Sequence, residues 1–194
     1  MPIELLLKSI KKNNFLITKI SINRTFQLIL NVNCAYNASL NFQLNFLKIV
    51  YLFKTIVDLI GVDWPNKTLR FEIIYNLLNL NHNIRLFIST FVSEVNSFNY
   101  APIFINSGMS IYNGLDWLER EAWDMFGIFF FNHTDLRRIL TDYGFEGFPL
   151  RKDFPLTGFL ELRYDEEQKS ILYENVELSQ EFRFFDFESP WKHN

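Results

Sequence analysis

The chain has 194 residues, 48% of them hydrophobic and 18% aromatic, and a net charge of −3. That length suits one cored domain plus an extension, and the composition excludes an intrinsically disordered chain. A single cysteine, Cys34, excludes an internal disulfide and cannot by itself hold an iron–sulfur cluster or a structural zinc.

The net charge hides a polarity. Residues 1–114 carry 10 Lys/Arg and 5 Asp/Glu, whereas residues 115–194 carry 9 and 17, for nets of +5 and −8. The two parts therefore meet different surroundings. The basic part has no Lys/Arg run longer than Lys11-Lys12, too sparse to neutralise a phosphate backbone, so no nucleic-acid partner is expected. No apolar run approaches the ~20 residues of a membrane-spanning helix. The first twenty residues hold Glu4 and no Arg, unlike a transit peptide. The chain is expected to be soluble alone and, if it works in an organelle, to be made there. Its wealth of Phe and Asn fits an A/T-rich coding genome.

In chain order, residues 15–22 and 25–32 are β-rich runs joined at Asn23-Arg24 and read as a hairpin. Asn37 or Ser39 can cap a helix running to about Lys54, with Leu40, Leu44, Leu47 and Tyr51 on one face. Residues 55–64 form a strand closed by Pro65-Asn66-Lys67. Residues 69–78 alternate, with Phe71, Ile73, Tyr75 and Leu77 on one side and Arg70, Glu72 and Asn76 on the other, as a half-buried strand does. Asn81-His82-Asn83 turns the chain into a strand over 84–92. Residues 93–113 read as a short helix and then a loop. Next comes a helix with Asn113 and Asp116 at capping-box spacing, Leu115, Leu118, Ala122 and Met125 on its apolar face, and Gly127 as its C-terminal cap. Asp116, Arg120 and Asp124 stack at four-residue spacing on another face.

After Gly127 the regular patterns fade. Residues 143–158 hold three glycines and two prolines and should be irregular, and Gly144 and Gly147 suit backbone turns with positive φ. Residues 159–164 and 171–173 suggest a small hairpin. Few residues beyond Gly127 can build a second core. The predicted fold is α+β: residues 1–128 form a globular domain with a mostly antiparallel or mixed sheet and helices on it. Residues 129–194 form a long, mostly irregular arm that wraps a partner subunit.

Charges in the acidic half sit in small mixed-sign clusters between aromatics: Glu119-Arg120-Glu121, Asp135 with Arg137 and Arg138, Arg151-Lys152-Asp153, and Glu181 with Arg183. A core excludes such charges and a solvated surface lacks such rings, so the pattern points to a segment laid along a partner. Glu119, Glu121, Asp124, His133 and Asp135 offer metal-ligating atoms in one window. Their spacing is not that of a metal motif such as HExxH, and Glu119 and Glu121 point apart on a helix. His133 is expected to hydrogen-bond at a turn or helix start. A metal-dependent hydrolase using Glu119, Asp124, His133 and Asp135 is one rival reading, and a free-standing binding module is another.

The motifs themselves resemble a known family. ERE-x-WD-x-FG at residues 119–127, NH-x-DLRRILTDYGFEG at 132–147 and PLRKDFPL-x-G at 149–158 occur in its order. So do RYD at 163–165, VEL-x-QEFR at 176–183 and FDF-x-SPW at 185–191. The chain resembles the thirty-kilodalton subunit of respiratory NADH:ubiquinone oxidoreductase, complex I. Phe148 stands where the family usually has His, and Thr134 and Asn175 where it usually has Pro, a swap that at Phe148 fits a packing role.

The resemblance implies a structural subunit of the peripheral arm, on the matrix side of the mitochondrial inner membrane. It implies a gene in the mitochondrial genome and membrane association only through the complex. It further implies no active site of its own and no cofactor on this chain, FMN and iron–sulfur clusters lying in neighbours. The implied partners are the quinone-pocket (forty-nine-kilodalton) subunit and adjacent iron–sulfur subunits. Expected interface residues are Glu119, Arg120, Glu121, Asp124, His133, Asp135, Arg137, Arg138, Arg151, Lys152, Asp153, Arg163, Glu181, Arg183 and Trp191.

Overall fold

Phe71, Ile73, Tyr75 and Leu77 alternate along one strand, and all four are buried. The two-residue period of a strand puts them on one face, where they become the floor of a core. The computed structural model describes residues 17–22, 28–32, 37–93 and 104–185. These divide into two units between Phe154 and Pro155.

The first unit carries a five-stranded sheet of β1 (Ile17–Ile22), β2 (Leu28–Val32), β3 (Thr55–Asp63), β4 (Phe71–Asn79) and β5 (Ile84–Val92). Its spatial order is β1-β2-β5-β4-β3. Neighbours pair antiparallel except β2 and β5, which run parallel, so the sheet is mixed. Helix α1 (Asn37–Ile49) supplies the crossover between β2 and β3. Leu40, Leu44 and Leu47 on α1 and Tyr51 just beyond it join Phe53, Tyr75 and Ile88 in the core. Each such side chain contributes roughly 1.5–3 kcal/mol on burial.

Helix α1 stops at Ile49, short of the expected Lys54. The Phe53 N–H reaches back to the Leu47 carbonyl at 3.1 Å, and Leu52 takes φ 58°. That is a left-handed helix stop built on Leu instead of Gly, which residue-level cap signals do not reveal.

Residues 94–103 of the expected helix-and-loop lie outside the described residues. The next described element is a strand: β6 (Phe104–Asn106) pairs in parallel with β7 (Phe129–Phe131). A parallel pair needs a crossover, and helix α2 (Leu115–Phe126) provides it. Ile105, Leu115, Ala122, Ile128 and Phe130 belong to the same core as the sheet. Residues just past Gly127 are thus core residues of the first unit. The N-cap of α2 is Gly114, with no side-chain cap bond; Asn113 is exposed one residue outside the helix. Gly127 caps the C-terminus as expected, with φ 73° and its N–H on the Trp123 carbonyl.

The second unit contains the hairpin β8 (Leu160–Asp165) and β9 (Ser170–Asn175). Leu160, Leu162 and Tyr164 share one face with Ile171 and Tyr173, and all five are 56–62% exposed. On the other face Arg163 pairs with Glu174 at 2.7 Å. Among the described residues no helix is long and apolar enough to cross a membrane.

Candidate functional site

Three carboxylates set the chemistry of the first unit, and all three are buried: Asp63, Glu119 and Asp124. A buried carboxylate survives only where donors replace its water. Each of the three meets donors from a segment far along the chain.

Asp63 ends β3. Arg70, at the entry to β4, forks onto it at 2.7 and 3.0 Å, and the main-chain N–H of Lys152 adds a third bond at 2.8 Å. Arg70 also reaches Asp153 at 3.0 Å. Burial pushes the Asp63 pKa up, but the Arg70 and Lys152 bonds and the charges of Arg70 and Arg151 outweigh it and hold the carboxyl below its usual range.

Asp124, on α2, accepts the N–H groups of Ile139, Leu140 and Thr141 at 2.8–3.2 Å and the Thr141 hydroxyl at 2.7 Å. Burial raises its pKa, and these four bonds together lower it further than burial raises it. The Arg138 guanidinium stands 3.6 Å away and donates to the Gly147 carbonyl at 2.9 Å.

Glu119, five residues earlier on α2, accepts the Ser107 hydroxyl at 2.6 Å and the Gly108 N–H at 2.8 Å. Here burial wins, with the Asp116 charge adding to it, and the pKa is pushed up to about 7. Asp116, Arg120 and Asp124 do not act as one charge stack: Asp116 faces His133, Arg120 donates to the Arg137 carbonyl, and Asp124 serves residues 139–141.

The PLRKD segment locks down the C-terminus of α2. Leu150 N–H donates to Met125, Arg151 donates to the Phe126 carbonyl at 2.7 Å, and the Arg151 guanidinium lies over the rings of Phe71 and Phe148. Phe148 is therefore flanked by two cations, with Arg138 5.0 Å and Arg151 4.4 Å from its ring centre.

These placements sort the expected interface residues. Asp124, Arg138, Arg151, Asp153 and the Lys152 main chain are engaged within the first unit. His133, fully buried at its side chain, accepts the Asp135 N–H at 3.1 Å, the turn role foreseen for it. Asp135 pairs with Arg137 at 2.6 Å on the surface. Glu121 is half-buried and Glu181 exposed. Arg163 is held by Glu174, and the Arg183 guanidinium lies 5.8 Å from the Phe185 ring centre. Trp191 lies outside the described residues, as does Cys34. Glu119 and Asp124 face different donor sets and Asp135 faces Arg137, so the four residues of the hydrolase reading do not converge. Among the described residues no three His, Cys, Asp or Glu side chains gather as a metal site.

Sequence reasoning missed Asp63, Arg70 and Ser107. Asp63 and Arg70 had a signal, an acid closing an apolar strand and an Arg beyond a tight turn. Ser107 had none.

The family described as "Respiratory-chain NADH dehydrogenase, 30 Kd subunit" matches residues 36–160. The chain is 56% identical over 140 residues to NADH-ubiquinone oxidoreductase subunit 9 of Acanthamoeba castellanii, covering 72% of this chain and 67% of that protein. It is 52% identical over 140 residues to NADH-ubiquinone oxidoreductase subunit 9 of Prototheca wickerhamii, covering 72% and 69%. It is 51% identical over 140 residues to NADH dehydrogenase [ubiquinone] iron-sulfur protein 3 of Beta trigyna, covering 72% and 69%. Among solved structures, the trypsin-resistant fragment of Nqo5 aligns with a TM-score of 0.57 at 22% identity, covering 70% of this chain and 100% of that one. A chain of the membrane-bound sulfane sulfur reductase, an archaeal respiratory membrane complex, aligns with a TM-score of 0.63 at 21% identity, covering 79% and 85%. At those identities the structural likeness is one of fold. The chain belongs to the 30 Kd subunit family of the respiratory-chain NADH dehydrogenase.

Proposed function

We propose that the chain is a non-catalytic, structural subunit of the peripheral, matrix-side arm of proton-pumping NADH:ubiquinone oxidoreductase. It braces the quinone-pocket (forty-nine-kilodalton) subunit and the adjacent iron–sulfur subunits. The observation that carries this reading is the second unit. Leu160, Leu162, Tyr164, Ile171 and Tyr173 present one apolar hairpin face to solvent, and Leu178, Phe182, Phe184 and Phe185 beyond it are also exposed. An isolated two-stranded hairpin is marginal in water, so such a face is finished by another surface. The acidic excess of residues 115–194 favours a basic one.

FMN and the iron–sulfur clusters belong, in this reading, to neighbouring subunits. The name iron-sulfur protein 3 is carried by a relative, but one cysteine here cannot supply the thiolates of a cluster. Membrane association then runs through the complex, at the mitochondrial inner membrane. A gene in the mitochondrial genome fits the Phe- and Asn-rich composition.

The test is a native-gel separation of mildly solubilised organellar membranes, with this chain tracked by mass spectrometry. Co-migration with NADH-oxidising activity at very high mass, and cross-links from residues 155–185 to the quinone-pocket subunit, are the expected results. Migration as a free chain of 23.2 kDa would overturn the proposal.

A further inference from the structure

Glu119 and His133 are both fully buried at their side chains and lie 3.8 Å apart. Their surroundings are polar but contain no countercharge for Glu119: among the described residues no Lys or Arg pairs with it. Its two oxygens are each occupied, one by the Ser107 hydroxyl and one by the Gly108 N–H. Ser107 in turn accepts the Met109 N–H at 3.2 Å. His133 accepts the Asp135 N–H at Nδ1, which leaves Nε2 as the nitrogen turned toward α2. That Nε2 faces the Asp116 carbonyl at 3.3 Å, the Asp116 carboxylate at 3.4 Å and, beyond them, Glu119.

The other charged and titratable groups around the pair are held elsewhere. On α2, Asp116 is half exposed and Arg120 is turned to the Arg137 carbonyl. In the loop after β7, Asp135 is held by Arg137. From α1, the Lys48 ammonium donates to the Ile111 carbonyl in the turn after β6. In that turn, the Tyr112 hydroxyl donates to the Phe53 carbonyl at 2.6 Å.

We propose that Glu119, packed against His133, is a buried proton-binding site. The proton it takes up sets how firmly the 107–112 turn and the loop after β7 are held to α2. The geometry around Glu119 accommodates the proton. A proton on the Glu119 oxygen facing Ser107 needs only a turn of the hydroxyl, which can accept as well as donate. Burial then favours the neutral acid, in line with a carboxyl raised to about 7.

The folded value lies above the 4.5 of the free group, so the stabilisation is complete below that pH and is lost as pH rises through about 7. A carboxylate left in the site at higher pH has no Lys or Arg beside it among the described residues, and the segments that enclose it open more readily.

The experiment is hydrogen exchange with mass spectrometry on the assembled complex, from about pH 5 to pH 8, in wild type and Glu119→Gln. After correction for intrinsic exchange, wild-type peptides spanning 105–113 and 130–137 should lose protection by up to tenfold per pH unit between about pH 5 and pH 7 and level off above. Peptides from β4 and β5 should stay level, and Glu119→Gln should be level throughout. If Glu119→Gln does not assemble, Ser107→Ala is read instead. It removes a bond that favours the carboxylate, so the transition should move to higher pH. Level wild-type protection, an unchanged slope in Glu119→Gln, or an unmoved transition in Ser107→Ala each overturns the proposal.

Discussion

Asp63 accepts the main-chain N–H of Lys152 at 2.8 Å across 89 residues of sequence. The same carboxylate is forked by Arg70. One side chain at the end of β3 thus closes the sheet's edge and pins the PLRKD segment. Asp63→Ala would leave Arg70 and the Lys152 N–H without it, a change that costs about 3–5 kcal/mol for a buried pair. Chemical denaturation of the full chain should show a loss of that order, and a loss under about 1 kcal/mol, the scale of an exposed pair, would refute this assignment.

Asp63 and Asp124 share a pH signature. Both have pKa values lowered below 3.8 in the folded chain, so their stabilisation is present above 3.8 and is lost as pH falls through the folded values. Acid unfolding should therefore steepen below about pH 4. In Asp124→Asn, which is neutral at every pH, that acid limb should be shallower by up to one proton. Titration curves of wild type and variant that superimpose would contradict it.

Gly127 sits at φ 73°, and a Cβ there would meet Phe148 at 2.6 Å and the Arg151 guanidinium at 2.7 Å. Gly127→Ala should cost roughly 1–3 kcal/mol through backbone strain alone, and more if Phe148 and Arg151 must give way. Thermal unfolding checks the size of the loss. The α2 C-terminus should loosen first, visible as faster exchange at residues 124–128.

Arg138 donates to Gly147, flanks Phe148 and stands beside Asp124. Arg138→Ala should lower the amount of assembled complex more than the turnover per assembled complex. Quantified native gels against NADH oxidation measure the two separately. Normal assembly with lost turnover would show that the residue acts on the chemistry.

On the hairpin, Leu162→Ser and Tyr173→Ser remove opposed apolar groups from one exposed face. Neither should destabilise the first unit, but the double variant should weaken incorporation into the complex several-fold. Incorporation at the wild-type level would mean that this face is not where a neighbour lies.

The features legible in the sequence were the local ones. The alternation of Phe71, Ile73, Tyr75 and Leu77, the Gly127 cap and the 160–175 hairpin each rest on neighbouring residues. Positive φ at Gly144 and Gly147, 73° and 100°, was likewise read from residue type. The parallel pairings of β2 with β5 and of β6 with β7 were not legible, because short strands carry no mark of a distant partner. Nor was the burial of Glu119 and Asp124. A helix bearing Glu119, Glu121 and Asp124 reads as an ion-paired interface surface, whereas the donors that permit burial within the chain are main-chain N–H groups at 108 and 139–141. Main-chain donors have no residue type, so no spacing announces them. The Asn113 capping expectation failed because the turn from Gly108 to Tyr112 already delivers the chain to α2, leaving Asn113 outside.

In the proposed role, the exposed apolar face of the hairpin also governs the life of the subunit before assembly. A chain that carries an open apolar ribbon is safe only while something shields it. Its abundance is then set by how quickly a neighbour arrives, and unshielded copies meet proteases and one another first. Synthesis of this subunit in excess would raise its degradation and leave the number of complexes unchanged.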